Sequence, residues 1–150
     1  MINVCVFGAG AIGGYIGCSL SKAGANVSLI ARGPHKEAIE KNGLTLISNN
    51  KSETFKLKVT ENPCELGTQD YIIIGVKAHA ISGIVNKLKP LLNDNTAILS
   101  AVNGLPWWYF YKSDTGTKLE NTYIDSVDPL VSCLMTIVCR LPCNQRLEKD

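Results

Sequence analysis

The segment Gly8-Ala9-Gly10-Ala11-Ile12-Gly13 constrains this chain more than any other stretch. It follows a nearly all-apolar run, Ile2 to Phe7, rich in the Val and Ile that suit a strand buried on both faces of a parallel sheet. The glycines break that strand, and a helix is predicted to follow to about Ala23, with Gly24 as its stop. Ile12, Ile16, Leu20 and Ala23 fall on one face of that helix. A buried strand, a glycine turn and a helix in this order open a β-α-β unit.

The remaining chain continues the alternation. Asn26 to Ala31 reads as a second strand, and Pro34 sits where a first helical turn tolerates it. His35 to Lys41 extends that helix until Asn42-Gly43 ends it. Leu44 to Ile47 and Thr54 to Val59 read as extended segments joined by the polar turn Ser48 to Ser52, and Phe55, Leu57 and Val59 alternate with Lys56 and Lys58. Asp70 to Lys77 is another buried strand pattern, His79 to Leu92 carries apolar residues at helical spacing, and Thr96 to Val102 is the next strand. This order predicts an α/β fold: a doubly wound, mostly parallel sheet with right-handed crossovers. Past Gly104 the pattern is harder to read, with an aromatic cluster from Pro106 to Tyr111 and three cysteines crowded after Leu130.

The glycine spacing has a specific chemical use. In Gly8-x-Gly10-x-x-Gly13, the first glycine permits a tight turn and the second lets backbone approach a pyrophosphate. The third lets the helix pack on the strand, and free amides at the helix start hold the negative charge. Folds that bind NAD place an acid near the end of the second strand, but here Leu29-Ile30-Ala31-Arg32-Gly33 carries none. A guanidinium at Arg32 offers bidentate bonds to a phosphate, so NADP is expected in preference to NAD. Ligands of open α/β sheets bind beyond the carboxyl ends of the strands, where Lys77 and Asn103 are expected to lie. His79 reads as a helix-start residue and His35 as a surface residue, and neither is assigned catalysis.

Composition excludes other classes. The 150 residues are 45% hydrophobic and 19% charged, with a net charge of +2. A disordered chain is excluded, and nothing favours nucleic acid or an anionic membrane as partner. No stretch reaches the roughly 18 apolar residues of a membrane span, and the amino terminus lacks the basic region of a signal peptide. Cys5, Cys18, Cys64, Cys133, Cys139 and Cys143 therefore read as reduced thiols of a cytoplasmic protein rather than a disulfide framework or a metal site.

Together, Gly8 to Tyr15, Leu29 to Gly33, Val76-Lys77-Ala78-His79 and Asn103-Gly-Leu-Pro-Trp-Trp108 resemble ketopantoate reductase (2-dehydropantoate 2-reductase) from Met1 to about Pro129. The resemblance implies a Rossmann cofactor domain joined to an all-helical domain, with the active site between them. It implies reduction of 2-dehydropantoate, a small 2-keto acid, to (R)-pantoate with NADPH, in the route to pantothenate and coenzyme A. By the same resemblance Gly8, Ala9, Gly10, Ala11, Ile12 and Gly13 hold the pyrophosphate and Arg32 the 2′-phosphate. Lys77 lines the nicotinamide side and the substrate, and Asn103 touches both cofactor and substrate.

The family's general-acid lysine and its substrate-orienting glutamate belong to the helical domain, so no catalytic residue is assigned within this chain. Residues 1–129 read as the NADP-binding domain and 130–150 as a divergent tail, expected to be truncated or frame-shifted. Apolar surface near Trp107 and Trp108 is then expected to promote self-association. Two other readings stay open: a stand-alone NADP-binding module or pseudoenzyme, and a reductase of another 2-keto acid.

Overall fold

The structure, a computed structural model, describes residues 1–48 and 51–102. Its strands are short, and the central ones are largely apolar runs buried on both faces. β1 (Asn3–Phe7) is followed by α1 (Ala11–Lys22), β2 (Asn26–Ile30) and α2 (Gly33–Asn42). A hairpin of β3 (Leu44–Ser48) and β4 (Lys51–Phe55) comes next, then β5 (Lys58–Thr60), β6 (Tyr71–Ile74), the single-turn α3 (Val85–Leu88) and β7 (Ala97–Ser100). The main sheet runs β5-β2-β1-β6-β7, every neighbour parallel.

Side-chain alternation divides the core into two layers. Val4 and Val6 face a cluster with Val27, Leu29 and Ile39, and Ile39 comes from α2. Cys5 and Phe7 face the opposite cluster with Ile72, Ile74, Val85 and Leu88. Covered faces on both sides make this the doubly wound α/β fold expected from the sequence. Burying each such side chain stabilises the fold by about 1.5–3 kcal/mol.

Three local expectations are corrected. The apolar spacing of α1 marks its packing face only in part: Ile16 and Leu20 pack half-buried against the core, but the buried residues are Gly13, Gly14, Gly17 and Cys18, and Ile12 is 56% exposed. Small residues bring the helix close to the sheet, and a Cβ on Gly17 would lie 3.0 Å from Leu29 Cδ2. Thr54 to Val59 is not one strand. Thr54 and Phe55 pair antiparallel with Thr45 and Leu44, whereas Lys58 to Thr60 pairs parallel with β2. The inward-outward alternation is the same on both sides of this break, so it could not reveal the change of sheet.

His79 to Leu92 is not one helix either. It resolves into a 3₁₀ turn at Ala78–Ala80, α3, and a second 3₁₀ turn at Lys89–Leu91. Backbone bonds of the i→i−3 type link Ile81 to Ala78, Ile84 to Ile81 and Lys87 to Ile84. Gly83 weakens a helix here, and Pro90 has no N–H to continue one. The burial expected from the spacing survives in part: Ile81, Val85 and Leu88 are buried, and Ile84 and Leu92 pack half-buried against them.

Cys5 and Cys18 are buried free thiols, and Cys64 is exposed and free. Burial pushes the Cys5 thiol up to about 12. Burial, with a smaller contribution from the Glu53 carboxylate, also raises Cys18. Among the described residues, no helix is long and apolar enough to cross a membrane. Asn103, the Trp107–Trp108 pair, Cys133, Cys139, Cys143 and the 129/130 boundary lie outside the described residues.

Candidate dinucleotide site

The sheet register brings the ends of its central strands together. Phe7 is level with Ile30 on β2 and with Ile74 on β6, and Ile74 is level with Ser100 on β7. Gly8, Ala31-Arg32, Gly75 to Lys77 and Ala101 therefore emerge along one edge. From β1 the chain winds outward through β2 to β5, then crosses back to β6 on the other side of β1. The strand order thus reverses between β1 and β6, the position where open α/β sheets form a binding crevice.

The three glycines have separable duties. Gly8 adopts φ +108°, and a Cβ there would lie 2.8 Å from Val76 Cγ1. Its N–H donates to the Ile30 carbonyl at 3.1 Å, fixing the loop to β2. A Cβ on Gly13 would lie only 2.0 Å from the Gly8 carbonyl oxygen, so no side chain fits between helix and strand. Gly10 differs. Its φ is −68°, and a Cβ would meet nothing within 4 Å. The fold itself does not need a glycine there, which leaves backbone open to an approaching ligand.

The start of α1 matches that opening. The Gly14 N–H donates to the Gly10 carbonyl at 2.7 Å, and the amides of Ala11 to Gly13 precede the first intrahelical bond. No side chain caps this helix, and no acid sits in its first turn. The positive end of its dipole thus meets no protein anion within its own first turn. These features fit a phosphate.

The other predicted residues flank the loop. Arg32 is the N-cap of α2, exposed, with extended backbone, and no acid follows in the first helical turn. Lys77 lies on the opposite side of β1, exposed, at the start of the Ala78–Ala80 turn. The register therefore sets Arg32 and Lys77 to either side of the glycine loop. His79, to which the sequence assigns no catalysis, is exposed two residues after Lys77, within the same turn.

Two features escaped the sequence reading. Gly75 supports the loop from below: its N–H donates to the Phe7 carbonyl at 3.0 Å. A Cβ on it would lie 3.0 Å from the Gly8 oxygen and 3.2 Å from Gly13 Cα. Its place between an apolar strand and Val76-Lys77 was the available signal. His35 is exposed, as read from the sequence, but its Nε2 lies 2.7 Å from the Ala9 carbonyl oxygen. No local pattern predicts a bond that spans 26 residues.

The sequence profile of the ketopantoate reductase PanE/ApbA family matches residues 4–106. The chain belongs to that family. A 2-dehydropantoate 2-reductase of Mesorhizobium japonicum is 41% identical over 129 residues, which cover 85% of this chain and 39% of the relative. The crystal structure of a 2-dehydropantoate 2-reductase from Geobacter metallireducens is 35% identical, with a TM-score of 0.65, covering 70% of this chain and 35% of that one. A ternary structure of D-mandelate dehydrogenase with NADH and anilino(oxo)acetate is similar at 28% identity and a TM-score of 0.65, covering 70% of this chain and 35% of that one. The chain thus spans between a third and two-fifths of these ketopantoate reductase relatives' length. The glycine loop, Arg32, Lys77 and Asn103 all fall inside the profile match.

Proposed function

We propose that this chain is the NADP(H)-binding part of a 2-dehydropantoate 2-reductase. The observation that carries the reading is the open backbone at Gly10, set at an uncapped helix start between the basic residues Arg32 and Lys77. Amides of residues 10–13 bind the pyrophosphate, and Gly8 and Gly13 hold the loop in the shape that presents them. Arg32 binds the 2′-phosphate by a charge-assisted, bidentate contact that NAD cannot supply. When bound, the nicotinamide supplies hydride to the ketone carbon of the substrate. Lys77 lines that end of the crevice, where its positive charge orients a 2-keto acid, and the family resemblance gives Asn103 a share in binding both cofactor and substrate. Residues 1–129 form the cofactor domain, and 130–150 lie beyond it.

The resemblance to D-mandelate dehydrogenase, whose structure holds NADH, favours a second reading, reduction of another 2-keto acid. Titrating the chain with NADPH and with NADH tests the cofactor assignment. A charge-assisted phosphate contact contributes about 1.5–3 kcal/mol, so NADPH binds roughly ten- to a hundredfold more tightly. Equal affinities would overturn it. Comparing reduction of 2-dehydropantoate and phenylglyoxylate by the full-length reductase separates the two substrate readings.

A further inference from the structure

We infer that His35 is a positioning residue of the diphosphate loop, aiming the Gly10 amide at the ligand; the inference rests on the dinucleotide reading above. His35 stands in the first turn of α2, three residues after Arg32, and its Nε2 reaches the Ala9 carbonyl oxygen at 2.7 Å. A carbonyl oxygen only accepts, so Nε2 carries the proton and donates. The Ala9 carbonyl and the Gly10 N–H belong to one trans peptide plane and point in opposite directions. Holding that oxygen towards α2 therefore fixes the Gly10 N–H pointing away from α2.

Little else in the loop performs this task. Ala9 is 5% exposed and packs in the cluster below α1, but its methyl does not set the rotation of the peptide that follows. Gly10 has no side chain to limit that rotation, which is the freedom that makes glycine useful there and costly to order. The same ring forms part of the wall of a pocket of about 220 Å³ with Gly10, Ala11, Tyr15, Cys18 and Thr45. His35 thus links α2, whose N-cap is Arg32, to the loop, and both phosphate contacts refer to one helix.

The test compares ligands that share only part of the cofactor. A net hydrogen bond is worth about 1 kcal/mol, so His35→Leu weakens NADPH and NADH alike by roughly fivefold and leaves their ratio unchanged. Adenosine 2′-monophosphate, which carries the 2′-phosphate and no pyrophosphate, binds His35→Leu as it binds the unmodified chain. His35→Gln, whose amide nitrogen reaches the Nε2 position, restores NADPH affinity. His35→Asn, whose amide matches only the Nδ1 position, does not, and it keeps a polar, helix-compatible side chain if the leucine variant fails to fold. Unchanged NADPH affinity in His35→Asn, or equal weakening of adenosine 2′-monophosphate, would overturn the inference. If the unmodified chain binds adenosine 2′-monophosphate but neither dinucleotide, the dinucleotide reading itself falls, and the role of His35 with it.

Discussion

The two crossovers that cover opposite faces of the sheet are built in different ways. The first, from β1 through α1 to β2, is a regular helix seated on glycines, with backbone against backbone at Gly13 and Gly8. The second, from β6 to β7, is a chain of short turns around α3, held by apolar side chains rather than by regular hydrogen bonding. One segment has to present amides at a fixed place, and the other only has to cover the sheet. Positional demand, more than hydrophobicity, separates a segment that tolerates no change from one that tolerates many.

Glycine substitutions probe that difference most strongly. Gly13→Val puts carbon 2.0 Å from the Gly8 oxygen, a backbone overlap that no rotamer relieves. The expected loss exceeds about 4 kcal/mol, a large share of the roughly 5–15 kcal/mol of an ordinary domain, and a thermal melt by circular dichroism reads it. Gly83→Ala is its counterpart in the second crossover. The nearest atom to the new Cβ is the Ala80 oxygen at 3.6 Å, ordinary contact. A gain of about 0.4–1 kcal/mol is expected from the stiffer unfolded chain, and a loss above that size would break the comparison.

Between those extremes stand two finer tests. Arg32→Ala, at the end of the first crossover, removes about 1.5–3 kcal/mol of NADPH binding and leaves NADH binding nearly unchanged, as calorimetry reports. Cys5 faces the layer that the second crossover covers, and its thiol is raised from 9.0 to about 12. Above pH 9 the unfolded chain loses this proton and the folded chain keeps it. The contribution is therefore intact below pH 9 and drains as pH rises towards 12, by at most about 1.4 kcal/mol per unit. Denaturant titrations across that range should show a flatter alkaline slope for Cys5→Ala.

Legibility in the sequence follows the same division. The parallel sheet was readable because Val4 to Phe7, Val27 to Ile30 and Ile72 to Ile74 are buried on both sides, which leaves apolar runs interrupted only at Ser28. The glycine loop was readable because steric demands at Gly8 and Gly13 admit only one residue type. The break at Lys56-Leu57 was not, since changing sheets leaves the alternation of Phe55, Leu57 and Val59 intact. The face of α1 was only half readable: Ile16 and Leu20 do pack on the core, but its closest approach rests on Gly14 and Gly17, which apolar spacing ignores. In the site, Arg32 and Lys77 could be placed from strand ends alone. The contacts of His35 and Gly75 depend on which strands become neighbours, and local spacing does not encode that.

The central claim is that the open glycine, not the buried ones, marks where the diphosphate lies. The most direct measurement is an NADPH titration of the unmodified chain beside Gly10→Val, with melting curves for both. Because a Cβ at Gly10 meets nothing within 4 Å and its φ is ordinary, the variant should melt close to the unmodified chain. Its side chain would nevertheless fill the space that the pyrophosphate needs, so NADPH binding should be lost. Saturable binding in the unmodified chain, absent in a folded Gly10→Val, is the predicted result. NADPH binding of equal strength in both would contradict it and remove the diphosphate from this loop.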